Sequence, residues 1–200
     1  MQLGLEEFRE IERKARALRP IDGGFDLNAG IIWQEGVRPP TDCDEFAREA
    51  IFVICNSGMK HTVARGIFDR VMRAIARGAS AAEAFGHPGK AAAIDHIWEN
   101  RSKLLGEFLS QALDDARLEY LGKLPWIGSV TKFHLAKNFG VDVAKPDVHL
   151  VRLARAVGKP VNELCRELAE QSGYRIATVD LILWFACARG IIDKGALQAA

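Results

Sequence analysis

The stretch Tyr120-Leu121-Gly122-Lys123-Leu124-Pro125-Trp126-Ile127-Gly128-Ser129-Val130-Thr131 decides how this chain is read. A short helical pattern ends near Gly122, a turn containing Pro125 and Gly128 follows, and a second helical pattern opens near Ser129. The spacing predicts a hairpin of two helices, Ala116 to Gly122 and Ser129 to Phe139. The first backbone N–H groups of the second helix have no partner inside that helix and point outward. With the positive end of the helix dipole behind them they suit a phosphate, and Gly128 lets another backbone approach closely. The same residues also make an ordinary structural turn, and the hairpin by itself leaves both readings open.

About twenty residues downstream stands Lys145-Pro146-Asp147-Val148-His149-Leu150-Val151-Arg152. Asp147 follows a proline and opens a helix, where a carboxylate is favoured both as a cap and by the dipole. A plain N-cap and a catalytic carboxylate are compatible at one residue. Further outward, helical periodicity dominates and strand-like alternation is hard to find. Leu5 to Leu18 reads as an amphipathic helix, Ile21 to Pro40 as a loop rich in Gly and Pro, and Asp42 with Glu45 as a capping box for a helix running to about Cys55. Helices are expected from Thr62 to Arg77, Ser80 to Gly86, Lys90 to Asn100, Lys103 to Asp115, Asp147 to Val157, Val161 to Gln171 and Ile176 to Arg189. The fold expected is all-α, a single domain over 1–200.

Composition bounds the function. The chain has 200 residues and nearly half are hydrophobic, enough for a sizeable core. No run approaches the roughly 18 apolar residues of a membrane span, and Met1 to Arg19 alternates charged and apolar residues unlike a signal peptide. A cytoplasmic protein without a membrane partner is expected, nucleoid-associated if bacterial. Cys43, Cys55, Cys165 and Cys187 lack metal-ligand spacing, as do the five histidines. The net charge of +1 is not that of a generic nucleic-acid binder, but charge is uneven. Lys123 to Lys159 is rich in Lys and Arg, and Lys60, Arg65, Arg70, Arg73 and Arg77 are offset only by Asp69.

Taken together, Leu124-Pro125-Trp126-Ile127-Gly128, Phe139-Gly140 and Pro146-Asp147-Val148-His149-Leu150-Val151-Arg152 resemble the helix-hairpin-helix DNA glycosylase superfamily. That superfamily includes endonuclease III, adenine glycosylase, 8-oxoguanine glycosylase and the helical 3-methyladenine glycosylases. Its pattern is Leu-Pro-Gly-(Val/Ile)-Gly, a helix ending in Phe-Gly or similar, then (Val/Pro)-Asp-(Val/Thr)-His-(apolar)-x-Arg. The resemblance extends more faintly back to Ile51–Val71 and forward to Asp180-Leu181-Ile182-Leu183-Trp184, with the first forty residues outside it.

The resemblance implies two helical lobes around a central cleft. One lobe, about 46–146, carries the hairpin at 116–139, and 1–45 with 147–200 forms the other. It implies a base-excision enzyme that flips a damaged or modified base from double-stranded DNA and hydrolyses its N-glycosidic bond, acting as a monomer, with Asp147 as the catalytic carboxylate. Gly128, Val130, Thr131, Lys132 and His149 would contact DNA. The residue that fills the gap left by the flipped base would fall near Met59 and Lys60, where core packing is the competing role for Met59. Backbone carbonyls of Gly122, Leu124 and Ile127 would hold a monovalent cation, Na+ or K+. No other cofactor is expected, and no iron–sulfur cluster, because only Cys165 and Cys187 follow the catalytic helix.

Two departures matter. Bifunctional members carry a lysine that forms a Schiff base two residues after the second hairpin glycine, and here that position is Val130; its absence argues for a monofunctional enzyme. Lys132 lies about 200° further around the helix, and a bifunctional glycosylase/lyase using Lys132 is the alternative. Trp126 stands where the family has glycine, so it either stacks against nucleic acid or packs under the hairpin. Other readings are a non-catalytic helix-hairpin-helix DNA-binding protein and a helical interaction protein. Trp33, Phe52, Trp98 and Trp184 are candidate stacking residues, though residues of these types are more often core.

Overall fold

The structure is a computed structural model that describes residues 3–20 and 25–192. Among these residues the chain is all-α and has no strand. The helices are α1 (Leu5–Arg16), α2 (Leu27–Gly36), α3 (Cys43–Asn56), α4 (His61–Ala76), α5 (Pro88–Glu99), α6 (Arg101–Leu109), α7 (Asp114–Leu121), α8 (Thr131–Asn138), α9 (Val148–Val157), α10 (Val161–Ser172) and α11 (Ile176–Ala188), with a 3-10 turn at Ala81–Glu83. Among the described residues no helix is long and apolar enough to cross a membrane.

The chain divides into two compact units. One comprises Met1–Val37 with Asp142–Ala200, the other Arg38–Val141. The chain passes between them at Val37/Arg38 and Val141/Asp142, where the sequence suggested boundaries near 45 and 146.

In the unit Arg38–Val141, α3 packs against α4, α5, α6 and α8. Its start is local chemistry: Asp42 Oδ1 accepts the N–H groups of Asp44 and Glu45, each at 2.9 Å. Its buried face brings Phe46 onto Phe139, ring centroids 4.9 Å apart, and Phe108 lies 5.2 Å from Phe139. All three rings are essentially inaccessible. Burying a ring of this size stabilises by about 1.5–3 kcal/mol. Phe139 is followed by Gly140 at φ 76°, and the Val141 N–H turns back to the Ala136 carbonyl at 3.0 Å. A Cβ on Gly140 would also lie 3.0 Å from the Arg38 carbonyl carbon, so only glycine suits both the left-handed turn and the close approach.

In the other unit, α11 is apolar all round and correspondingly buried, with Val179, Ile182, Leu183, Phe185 and Ala186 inside. Phe8 of α1, Ile31 of α2, Leu150 and Leu153 of α9, and Leu164 and Leu168 of α10 complete this core. Glu12, Arg16 and Tyr174 tie α1 to the turn before α11 through hydrogen bonds of 2.6–2.9 Å.

The expected loop over Ile21 to Pro40 is corrected by α2. Asp26 caps it, accepting the Ala29 N–H at 2.8 Å. Its mid-helix glycine, Gly30, lowers helix propensity, but a Cβ there would lie 2.9 Å from the Phe25 ring and 3.2 Å from Leu181 Cδ2. Tertiary packing thus selects a residue that reads locally as a helix breaker. Residues 21–24 of that expected loop lie outside the described residues.

Candidate functional site

The hairpin lies in the unit Arg38–Val141. Helix α7 closes on Gly122, and Lys123 and Leu124 stay bonded back to Tyr120 and Leu121 at 2.9 and 3.2 Å. Ile127 is buried and anchors the turn. Gly128 shapes the second helix: its carbonyl accepts the Lys132 N–H at 3.0 Å, and its N–H donates to Thr131 Oγ1 at 2.7 Å. Helix α8 starts at Thr131 with Val130 as a cap that offers no side-chain bond. Among the described residues the N–H groups of Ser129, Val130 and Thr131 have no acceptor, and Ser129 and Val130 are exposed. Three free donors at the start of a helix are an anion-binding geometry.

Trp126 takes φ 65°, the only positive φ of a non-glycine among the described residues. That conformation costs a residue with a side chain roughly 1–2 kcal/mol. Packing offsets the cost: the indole lies against Gly89, where a Cβ would sit 2.7 Å from Trp126 Cζ3, and meets the His87 ring edge-on at 4.9 Å between centroids. The positive φ is thus held by a residue with a large side chain, and the indole packs on the start of α5 while staying 44% exposed.

Lys132 reaches backward. Its Nζ pairs with Glu119 Oε1 of α7 at 2.6 Å, and its stem lies over Gly122, whose Cβ position would be 3.1 Å from Lys132 Cδ. The amine is engaged within its own hairpin. Of the carbonyls expected to hold a cation, those of Gly122 and Ile127 accept no hydrogen bond among the described residues. That of Leu124 accepts one, from the Ile127 N–H at 3.1 Å, leaving a second lone pair. Neutral carbonyl oxygens of this kind replace the hydration shell of Na+ or K+. No group of three His, Cys, Asp or Glu side chains gathers as a metal site among the described residues.

Met59 and Lys60 occupy the turn between α3 and α4, after Gly58 at φ 73°. Met59 is half-buried; Lys60 is exposed and caps α4 through its backbone. The preceding Ser57 is fixed from α5, because Lys90, 5% exposed, donates from Nζ to the Ser57 carbonyl at 2.6 Å. Burial pulls the Lys90 ammonium below its ordinary pKa and pushes the neighbouring Cys55 thiol up to about 11.

Asp147 lies in the other unit. Its Oδ1 accepts the His149 and Leu150 N–H groups at 2.9 and 3.1 Å, capping α9. The Asp147 Oδ2 has no donor among the described residues, and the side chain is half-buried. Asp147 therefore caps a helix and keeps one carboxylate oxygen available. His149 is half-buried on the first turn of α9, and its ring makes no hydrogen bond among the described residues. Cys187 of α11, 2% exposed, lies within range of the Asp147 charge: burial first, and that charge second, push the thiol up to about 11.

Of the aromatic candidates, Trp33 is half exposed, Phe52 stands edge-on to His61 and Phe68, Trp98 lies under the Arg101 guanidinium at 4.4 Å, and Trp184 meets Phe25 edge-on at 5.9 Å. Sequence reasoning missed the partners of these groups: Glu119 for Lys132, Gly89 for Trp126, and Lys90 for the α3–α4 turn. No family model matches the chain, and neither does any curated protein or solved structure.

Proposed function

We propose that this protein is a monofunctional DNA glycosylase of the helix-hairpin-helix type, with Asp147 as its catalytic carboxylate. The observation that carries the proposal is Asp147 itself: one oxygen fixes the carboxylate on the start of α9 while the other has no donor. Breaking an N-glycosidic bond sends the bonding pair out with the base and builds positive charge on the sugar. A carboxylate held beside C1′ lowers that barrier electrostatically. Water then attacks C1′, with Asp147 accepting its proton, leaving an intact strand with an abasic site.

The part proposed for the hairpin is to bind the DNA backbone. The outward N–H groups of Ser129, Val130 and Thr131 take a backbone phosphate, which positions the duplex without reading sequence. A cation on the carbonyls of Gly122, Leu124 and Ile127 would add positive charge beneath that phosphate. Extruding the target base costs a few kcal/mol and leaves a gap, for which Met59 and Lys60 on their braced turn are the fillers. Having Lys132 tied to Glu119, rather than free, favours hydrolysis by water over a covalent imine.

The test is a panel of duplexes, each with one defined lesion, scored for alkali-labile abasic sites. Abasic sites on at least one lesion support the proposal. Salt-dependent duplex binding with no excision on any lesion indicates a non-catalytic DNA-binding protein instead.

A further inference from the structure

Asp147 stands at the end of an extended segment, and what holds that segment is not local. Asp142 Oδ1 accepts the Ala177 N–H at the start of α11, at 3.0 Å. The Ala144 N–H turns to Asn162 Oδ1 of α10 at 3.4 Å. The Lys145 N–H donates to Asp180 Oδ2 at 3.0 Å, and the Lys145 carbonyl in turn accepts the Asp147 N–H at 2.8 Å. All these residues belong to one unit.

Asp180 is the unusual member. It is a carboxylate only 2% exposed, in a helix whose other residues are apolar apart from Thr178. Burying a carboxylate is expensive unless it is hydrogen-bonded, and the Lys145 N–H is one of the partners of Asp180. Asp180 and Cys187 are seven residues apart and so share one face of α11. That one face holds the segment leading into Asp147 at Asp180 and brings the buried thiol near the Asp147 charge at Cys187.

We propose that Asp180 is a positioning residue for Asp147: its buried carboxylate fixes the Lys145 backbone, and Lys145 fixes the backbone of Asp147. This rests on the glycosylase proposal for its catalytic meaning, though not for its geometry. Asp180 does not touch the substrate. It restricts where the Asp147 carboxylate points, and small displacements of a catalytic group cost large factors in rate.

The experiment compares wild type, Asp180→Ala and Asp180→Asn by amide hydrogen exchange at Lys145 and by single-turnover excision on the best lesion duplex. Asparagine keeps an oxygen acceptor of the same reach; alanine keeps none. The expected result in Asp180→Ala is Lys145 exchange at least about tenfold faster, with excision at least about tenfold slower at unchanged duplex affinity. Asp180→Asn should restore most of both. Should the alanine variant unfold, Asp180→Leu repeats the comparison, filling the volume without an acceptor. Lys145 protection equal to wild type in the variants lacking an acceptor overturns the proposal. So does faster exchange with unchanged excision. Faster exchange in a protein whose wild type excises nothing keeps Asp180 as the holder of the Asp147 backbone and overturns the glycosylase proposal alone.

Discussion

Lys132 and Glu119 form an ion pair across the hairpin, Nζ to Oε1 at 2.6 Å, which turns the amine back over Gly122. This is the lysine that the alternative lyase reading would use, since Val130 stands where the bifunctional enzymes that the sequence resembles carry lysine. The expected outcome is that borohydride added during turnover traps no protein–DNA adduct. Lys132→Ala should leave single-turnover excision at saturating enzyme within about threefold of wild type, because on the proposed mechanism water and not the Lys132 amine attacks C1′. An adduct that vanishes in Lys132→Ala makes Lys132 the nucleophile and the enzyme bifunctional.

Gly128 offers a cleaner probe of the hairpin than a bulky replacement does. A Cβ built there meets nothing closer than Thr131 Oγ1 at 3.8 Å, and its φ is not positive. Gly128→Ala should therefore change folding stability by no more than about 0.5 kcal/mol. On the proposed reading, duplex affinity should fall for damaged and undamaged DNA alike, because the methyl group would stand where the phosphate backbone is proposed to approach. Chemical denaturation and fluorescence anisotropy check the two halves. Unchanged affinity at low salt removes the hairpin from the DNA-binding surface.

How much of this was legible in sequence follows from how local each interaction is. The caps at Asp42 and Asp147 bond within three residues, so their chemistry is written in the adjacent letters. The hairpin helices were legible for the same reason, from a Pro/Gly turn between two periodic runs. Helix α2 was not, because the reason for Gly30 lies in Leu181, far along the chain. Nor was the Lys132–Glu119 pair, which a turn separates from any helical spacing rule. Trp126 looked foreign to the turn because its compensating surface is Gly89. Asp180 left one readable signal, a lone carboxylate within the apolar run Ile176–Ala188.

Glu49 of α3 gives a pH prediction. Burial raises its carboxyl above the ordinary 4.5; the Asn138 amide and Arg65 oppose this, and Glu45 adds to it. Because the folded pKa exceeds the unfolded one, the ionised carboxylate carries a penalty that is fully present above the folded pKa. It fades as pH falls and is gone below the unfolded pKa. Glu49→Gln removes the ionisation and keeps an oxygen for Asn138. The variant should be more stable than wild type at pH 7 and lose that advantage toward pH 4, measured by urea unfolding across pH. A constant difference at all pH values contradicts the assignment.

The most direct measurement is single-turnover excision by Asp147→Asn on a lesion duplex that wild type cleaves. Asparagine keeps the size and a cap oxygen for the His149 and Leu150 N–H groups, so α9 and duplex binding should persist. It removes the negative charge that, on the proposed mechanism, stabilises the cationic sugar, and the rate should fall at least about a hundredfold. An Asp147→Asn variant that binds duplex as wild type does and excises at least a hundred times more slowly is the predicted result. A variant that excises at the wild-type rate contradicts the catalytic role of Asp147.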